Sequence, residues 1–166
     1  MSTISFSNYI NNFKLSDGEI VRVQILDTAG AEKFRSLSAN YYRKADCCLL
    51  VYDITDEYSF NEIKEYFNDR IKELCKKNIP IILLGNKTDL EDKRKVSSEE
   101  GANFCLENGY IFMETSCLKN TNVADAFETL IEITNIEKQK TNTIPQNMVI
   151  SMDDNTTKKS SFCCYS

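Results

Sequence analysis

Ile20-Val21-Arg22-Val23-Gln24-Ile25-Leu26 alternates apolar with polar positions at period two, and Ser16-Asp17-Gly18 before it is turn chemistry. A β-hairpin over 9–26 follows, its strands antiparallel. Cys47-Cys48-Leu49-Leu50-Val51-Tyr52 and Ile79-Pro80-Ile81-Ile82-Leu83-Leu84 are instead continuous apolar runs, the pattern of strands covered on both faces in a parallel sheet. Polar residues, Asp53 and Asn86, follow at their ends. Between the runs Phe60, Ile63, Phe67, Ile71 and Leu74 recur at steps of three and four, an amphipathic helix that makes the whole a βαβ unit. Ser97-Ser98-Glu99-Glu100 is a capping-box start for a helix ending near Asn108-Gly109, before a short strand over 110–113. Val123, Ala126, Phe127, Leu130 and Ile131 place a last apolar stripe on a helix running to about Lys138. Strands alternating with helices after an initial hairpin predict an open α/β sheet, whose ligands bind at the carboxyl ends of the strands. Asp27, Asp53 and Asn86 stand at such ends.

Beyond Lys140 the periodicity stops, and Thr, Asn, Ser and Lys dominate around Pro145. The division expected is a domain over 1–139 and a flexible tail over 140–166. The 166 residues carry a formal charge of −5, and no Lys/Arg stripe of the kind a polyanion requires, so nucleic acid is not an expected partner. Seven cysteines, an odd number with no secretory segment before them, fit a reducing compartment better than a disulfide framework. With no His and no Cys-x-x-Cys pair, ligands for a structural zinc site are too few. No apolar run approaches the roughly 20 residues of a membrane span, so any attachment to a membrane is peripheral or covalent.

Asn86-Lys87-Thr88-Asp89 follows a predicted strand, where one carboxylate has a definite task. Guanine offers two adjacent donors, a ring N–H and an exocyclic amine, which one carboxylate accepts together; adenine places an acceptor there and would be repelled. As a bare tetrapeptide the motif is equally a solvated loop. Asp27-Thr28-Ala29-Gly30 ends the hairpin's second strand. Asp is a hard oxygen ligand suited to Mg²⁺, and Gly30 lets a backbone N–H approach a terminal phosphate; the plain alternative is a strand ending in a glycine turn. Glu114-Thr115-Ser116-Cys117 follows the last strand, where its amides can support a base.

In order along the chain, Thr3-Ile4, Leu26-Asp27-Thr28-Ala29-Gly30, Glu32-Lys33-Phe34-Arg35, Tyr41-Tyr42-Arg43-Lys44-Ala45, Leu50-Val51-Tyr52-Asp53-Ile54-Thr55, Gly85-Asn86-Lys87-Thr88-Asp89 and Glu114-Thr115-Ser116 match small-GTPase motifs. Over about 2–138 the chain resembles the Rab family of small GTPases. The resemblance implies a P-loop NTPase-like α/β domain that binds GTP or GDP with Mg²⁺, hydrolyses GTP, and works through effectors and regulators in vesicle traffic. It makes Asp27, Thr28, Ala29, Gly30, Asn86, Lys87, Asp89, Ser116, Cys117 and Leu118 nucleotide-binding residues. Thr3, as the switch I threonine, and Asp27 become the Mg²⁺ ligands, and residues 28–45 become switch II and its helix.

Several positions depart from the family pattern. The phosphate-binding loop Gly-x-x-x-x-Gly-Lys-Ser/Thr is not among these residues: Gly18, Gly30, Gly85, Gly101 and Gly109 do not have its spacing. By resemblance, the strand leading into that loop belongs between 21–26 and 47–52. Without it, and without the loop and first helix, two sheet edges are expected to face a gap, and a coding sequence that begins late is the simplest expected cause. Ala31 stands where the family has the Gln that orients the attacking water, so slow hydrolysis is expected. Cys117-Leu118 replaces Ala-Lys, Leu26 replaces Trp, and Asn8 replaces Phe, which leaves Phe34 and Tyr41 as effector contacts or core residues. Cys163-Cys164-Tyr165-Ser166 resembles a Rab geranylgeranylation pattern, or a Cys-a-a-X box with terminal Ser that directs farnesyl. Both imply the prenylation machinery as partner and a lipid-anchored protein on the cytoplasmic face of intracellular membranes, with a cytosolic pool. The rival expectation is a nucleotide-free interaction module that keeps the switch II and tail surfaces.

Overall fold

The computed structural model describes residues 7–27, 42–76, 78–142 and 159–165. Their strands form one sheet in the order β1-β2-β6-β3-β4-β5. Strands β1 (Ser7–Lys14) and β2 (Ile20–Asp27) are the expected antiparallel hairpin. Its turn closes by Leu15 N–H donating to Glu19 O at 2.8 Å, and Gly18 takes φ 89°, which favours a residue without Cβ.

Strands β3 (Cys47–Asp53), β4 (Ile81–Asn86) and β5 (Ile111–Glu114) are parallel neighbours. The helix between β3 and β4, α1 (57–74), begins on an Asp56 cap whose side chain accepts from Tyr58 N–H. It contains one π-helical turn, Ile63–Phe67, before returning to α geometry over Asn68–Leu74. Phe60, Ile63 and Ile71 of the expected stripe are buried, and Phe67 and Leu74 pack half-buried beside them. The wider turn delays the helical phase, and Asn68 comes to lie in the interior too, accepting from Tyr110 Oη at 2.7 Å.

Helix α2 (Ser98–Asn108) starts on the capping box read from sequence: Ser97 Oγ accepts from Glu100 N–H while the Glu100 carboxylate accepts from Ser97 N–H at 2.8 Å. It stops at Gly109, which takes φ 71°. Helix α3 (Val123–Asn142) closes the α/β part. Alternate residues of β3 then feed two cores. Cys48, Leu50 and Tyr52 pack with α1 and α2, whereas Cys47 and Leu49 pack with Val21, Val23 and the Ala126, Leu130 and Ile131 stripe of α3. Asp46 accepts from Lys76 at 3.0 Å and Lys138 at 2.8 Å, which fastens the late part of α3 beside the start of β3.

The tail departs from expectation. Helix α3 reaches Asn142 rather than about 138, and 159–165, expected in a flexible tail, is strand β6 (Lys159–Tyr165) in the middle of the sheet. It runs parallel to both neighbours, pairing Arg22–Asp27 of β2 with Lys159–Cys164 and Cys47–Leu50 of β3 with Phe162–Tyr165. The two edges expected to face a gap are therefore joined through β6.

Candidate functional site

The carboxyl ends of β3, β4 and β5 bring the base-reading candidates together. Gly85 precedes them because there is no room for a side chain: an added Cβ would lie 2.9 Å from Tyr52 Oη. Asn86, the last residue of β4, accepts through its backbone carbonyl from Ile54 N–H at 3.0 Å. Its side-chain Oδ1 accepts from Thr115 Oγ1 at 3.3 Å and Cys117 N–H at 3.4 Å, so it clasps the segment after β5. Lys87 then turns the chain with φ 69° and ψ 37°, a left-handed residue that sends 88–93 into a 3₁₀ helix. Thr88 N–H donates to Thr115 O at 3.1 Å, completing the join between the two loops.

Asp89 is fixed by one short bond: the Oγ of fully buried Ser116 donates to its Oδ1 at 2.5 Å. Among the described residues Oδ2 takes no hydrogen bond. Ser116 Oγ in turn accepts from Lys119 N–H at 3.1 Å, and Ser116 exchanges backbone hydrogen bonds with Thr121. Cys117 is exposed, and Leu118 is 82% exposed beside this carboxylate's clasp.

Asp53 and Lys87 form an ion pair of 2.5 Å across the ends of β3 and β4. Burial pushes the Asp53 carboxyl upward, but hydrogen bonds from Lys87 and from the Thr55 hydroxyl and amide outweigh this and leave it below the usual range. The same bond to Asp53 raises the Lys87 ammonium above its ordinary value.

Arg94 is a positioning residue that sequence reasoning missed. Its guanidinium bonds Glu91 through Nε and Nη2, and Glu114 through Nη1, each at 2.7 Å, and reaches Val96 O at 3.1 Å. The Glu91–Arg94 spacing of three is a legible sequence signal; the Glu114 contact, across the fold, has none.

Of the remaining candidates, the backbone of Asp27 lies at the carboxyl end of β2, opposite Cys164 of β6. Thr3, Thr28, Ala29, Gly30 and Ala31, with Phe34 and Tyr41, lie outside the described residues. Cys163 and Cys164 are in β6 rather than in a free tail.

Residues 1–136 match the sequence profile of the Ras family. Ras-related protein Rab-8B of Pongo abelii is 39% identical over 166 residues, covering 98% of this chain and 79% of that protein. Ras-related protein Rab-8A of Bos taurus is 40% identical with the same coverage. Ras-related protein Rab-8A of Rattus norvegicus is 45% identical over 130 residues, covering 78% of this chain and 62% of that protein.

Proposed function

This chain belongs to the Ras family, in its Rab branch, and from that membership we propose that it is a guanine-nucleotide switch of intracellular vesicle traffic. The observation that carries the proposal is the clasp of Asp89 by Ser116, with Asn86 holding the loop opposite. A carboxylate held on one oxygen keeps lone pairs on both, and accepts the two donors of guanine without searching for its geometry. The aliphatic stem of Lys87 and the exposed Leu118, with the backbone of Cys117, would border the base. Asp27 suits Mg²⁺, which takes one or two carboxylates and keeps its remaining places for water and phosphate; Thr3 would be the second ligand. Thr28, Ala29 and Gly30 would follow the terminal phosphate. Ala31 cannot orient a water, so intrinsic hydrolysis by these residues is slow. The same proposal assigns effectors and regulators as partners, and prenyl groups on Cys163 and Cys164 as the anchor to the cytoplasmic face of internal membranes.

Calorimetry of the 166-residue chain with GTP, GDP and ATP in Mg²⁺ tests this. Guanine nucleotides are expected to bind in preference to ATP, with weaker than micromolar affinity because the residues present grip base better than phosphate, and Asp89→Ala is expected to erase the preference. Equal binding of GTP and ATP overturns the base-reading role, and submicromolar GTP affinity overturns the weak phosphate grip. A nucleotide-free interaction module is the second reading. The observation favouring it is β6 between β2 and β3, where the resemblance places the strand that leads into a phosphate loop.

A further inference from the structure

We propose that the cleft at the amino ends of β4 and β5 is a binding site for an aliphatic monocarboxylate, the hydrocarbon chain lying on its apolar floor and the carboxylate meeting the ammonium of Lys72. The cleft is separate from the nucleotide site. Ile81 opens β4 and lines the cleft, whereas Asn86 ends that strand, so roughly 17 Å of strand stands between the cleft and the loops that carry Asp89 and Ser116.

The cleft has a volume of about 660 Å³, within the range of pockets that take a small organic molecule. It forms where α1 and α2 end and α3 passes the start of two strands, and Asn78, at φ 63°, turns the chain along its edge. Buried Ile71 and Ile81 lie at its base. Half-buried Ile79 and Tyr110 reach it from one core, half-buried Ile111 from the other, and half-buried Ile133 from α3. These side chains leave a concave apolar surface in contact with water, and covering it with a hydrocarbon chain is favourable.

The rim selects the head group. Lys76 is matched by Asp46 at 3.0 Å, and Glu137 by Lys140 at 2.7 Å. Lys72 makes no ion pair among the described residues; its ammonium donates to Asn108 Oδ1 at 2.7 Å. That oxygen is itself fixed. It also accepts from Asn68 Nδ2 at 3.2 Å, Asn108 Nδ2 donates to Phe104 O at 2.8 Å, and the buried Asn68 accepts from Tyr110 Oη at 2.7 Å. The π turn before Asn68 is thus linked, through Asn68 and Asn108, to a cation held at the mouth of the cleft. An ammonium has three donors and Asn108 takes one, which leaves Lys72 two with which to meet a carboxylate. One unmatched cation suits a singly charged head, and Glu137 on the same rim opposes a second negative charge. A cationic head would be repelled by Lys72.

Amide shifts of the isotopically labelled 166-residue chain, followed by NMR during titration with sodium decanoate below its micelle concentration, test the site. Two chains of the same length serve as comparisons, 1,2-decanediol with a neutral head and decyltrimethylammonium with a cationic one. Decanoate is expected to shift the amides of 75–81 and 108–111 along one saturating curve, with a Kd on the order of 1 mM or tighter. The diol and the ammonium are expected to bind at least about threefold more weakly. Lys72→Met, a change at an exposed position, is expected to bring decanoate down to the affinity of the diol. Lys76→Met, after which Asp46 still has Lys138, is expected to change it by less than about twofold. Absence of saturable shifts, or saturable shifts elsewhere in the chain, overturns the site. Equal affinity for the three head groups shows an apolar groove indifferent to charge and overturns the carboxylate, and an equal loss in both lysine variants overturns the role of Lys72.

Discussion

Tyr52 is buried with its hydroxyl unpartnered among the described residues, wedged where Gly85 and Gly101 leave space. Burial pushes the phenol well above its ordinary range, so at neutral pH the group is an O–H with an unmet donor. Tyr52→Phe is expected to keep or raise stability by up to about 1 kcal/mol in urea unfolding, since it removes an unsatisfied polar atom and leaves the ring contact with Phe60. Gly101→Ala is the opposite case. Its Cβ would lie 2.5 Å from the Phe112 ring and 2.8 Å from Tyr52 Oη, and a loss of about 1–3 kcal/mol is expected from the same measurement. Asp53 and Lys87 set a pH dependence with a definite sign. The folded Asp53 carboxyl titrates below its ordinary 3.8, so its contribution is present above that value and is lost as pH falls through the lower folded one. Lys87, raised above 10.5, contributes fully below that value and loses its contribution as pH rises beyond it. Asp53→Asn is expected to flatten the acid limb of stability against pH below about 4, read by denaturant midpoints.

At the scale of elements, the 3₁₀ turn Thr88–Lys93 holds the carboxylate of Asp89, and Arg94 fixes that turn to the end of β5. Arg94→Ala is expected to cost about 2 kcal/mol, because Glu114 and Glu91 lose charge-assisted bonds, and to widen the conformations of 88–93 in amide exchange. Restoring the cation with Lys should recover only part, since one ammonium cannot span both carboxylates as the fork does. The elements that were legible in the sequence are those whose reasons are local. The Ser97–Glu100 capping box, the Gly109 stop, the 3.6 period of α1 and the apolar runs of β3 and β4 are each specified within a few residues. The π turn was not legible, because Phe60, Ile63, Phe67, Ile71 and Leu74 fit an ordinary helix and the inward turn of Asn68 depends on Tyr110 and Asn108 from elsewhere. Strand β6 was illegible for the same reason at greater distance: Ser160-Ser161-Phe162-Cys163-Cys164-Tyr165 is a strand through its pairing with β2 and β3, and no window along the chain contains that fact. The candidate site divides likewise. Motif order points to Asn86, Lys87, Asp89 and Ser116 as candidates, which the fold brings together, whereas the Asp53–Lys87 and Arg94–Glu114 pairs required the fold.

For the whole molecule, β6 joins in one sheet the β1–β2 hairpin and β3, β4 and β5, which also share one core with α3. Weakening β6 is therefore expected to split one unfolding transition into two. Phe162→Pro should lower the urea midpoint and broaden the transition, with hairpin amides exchanging ahead of those in β3 and β4, and a single sharp transition for the variant would count against the coupling. The same architecture sets an order in time. Arg22 waits for Lys159, and Cys48 for Cys163, so the centre of the sheet closes after everything around it has been made. At a synthesis rate of about 5–20 residues per second, β2 and β3 stand with open edges for on the order of 5–20 s after β3 emerges from the ribosome. Open parallel edges recruit strands from other nascent chains, so the yield of this protein is governed by how many unfinished copies share the same volume. Slow induction is expected to raise its soluble fraction at equal total expression, and a co-expressed holdase should do the same at fast induction, both measured by sedimentation of fresh lysates.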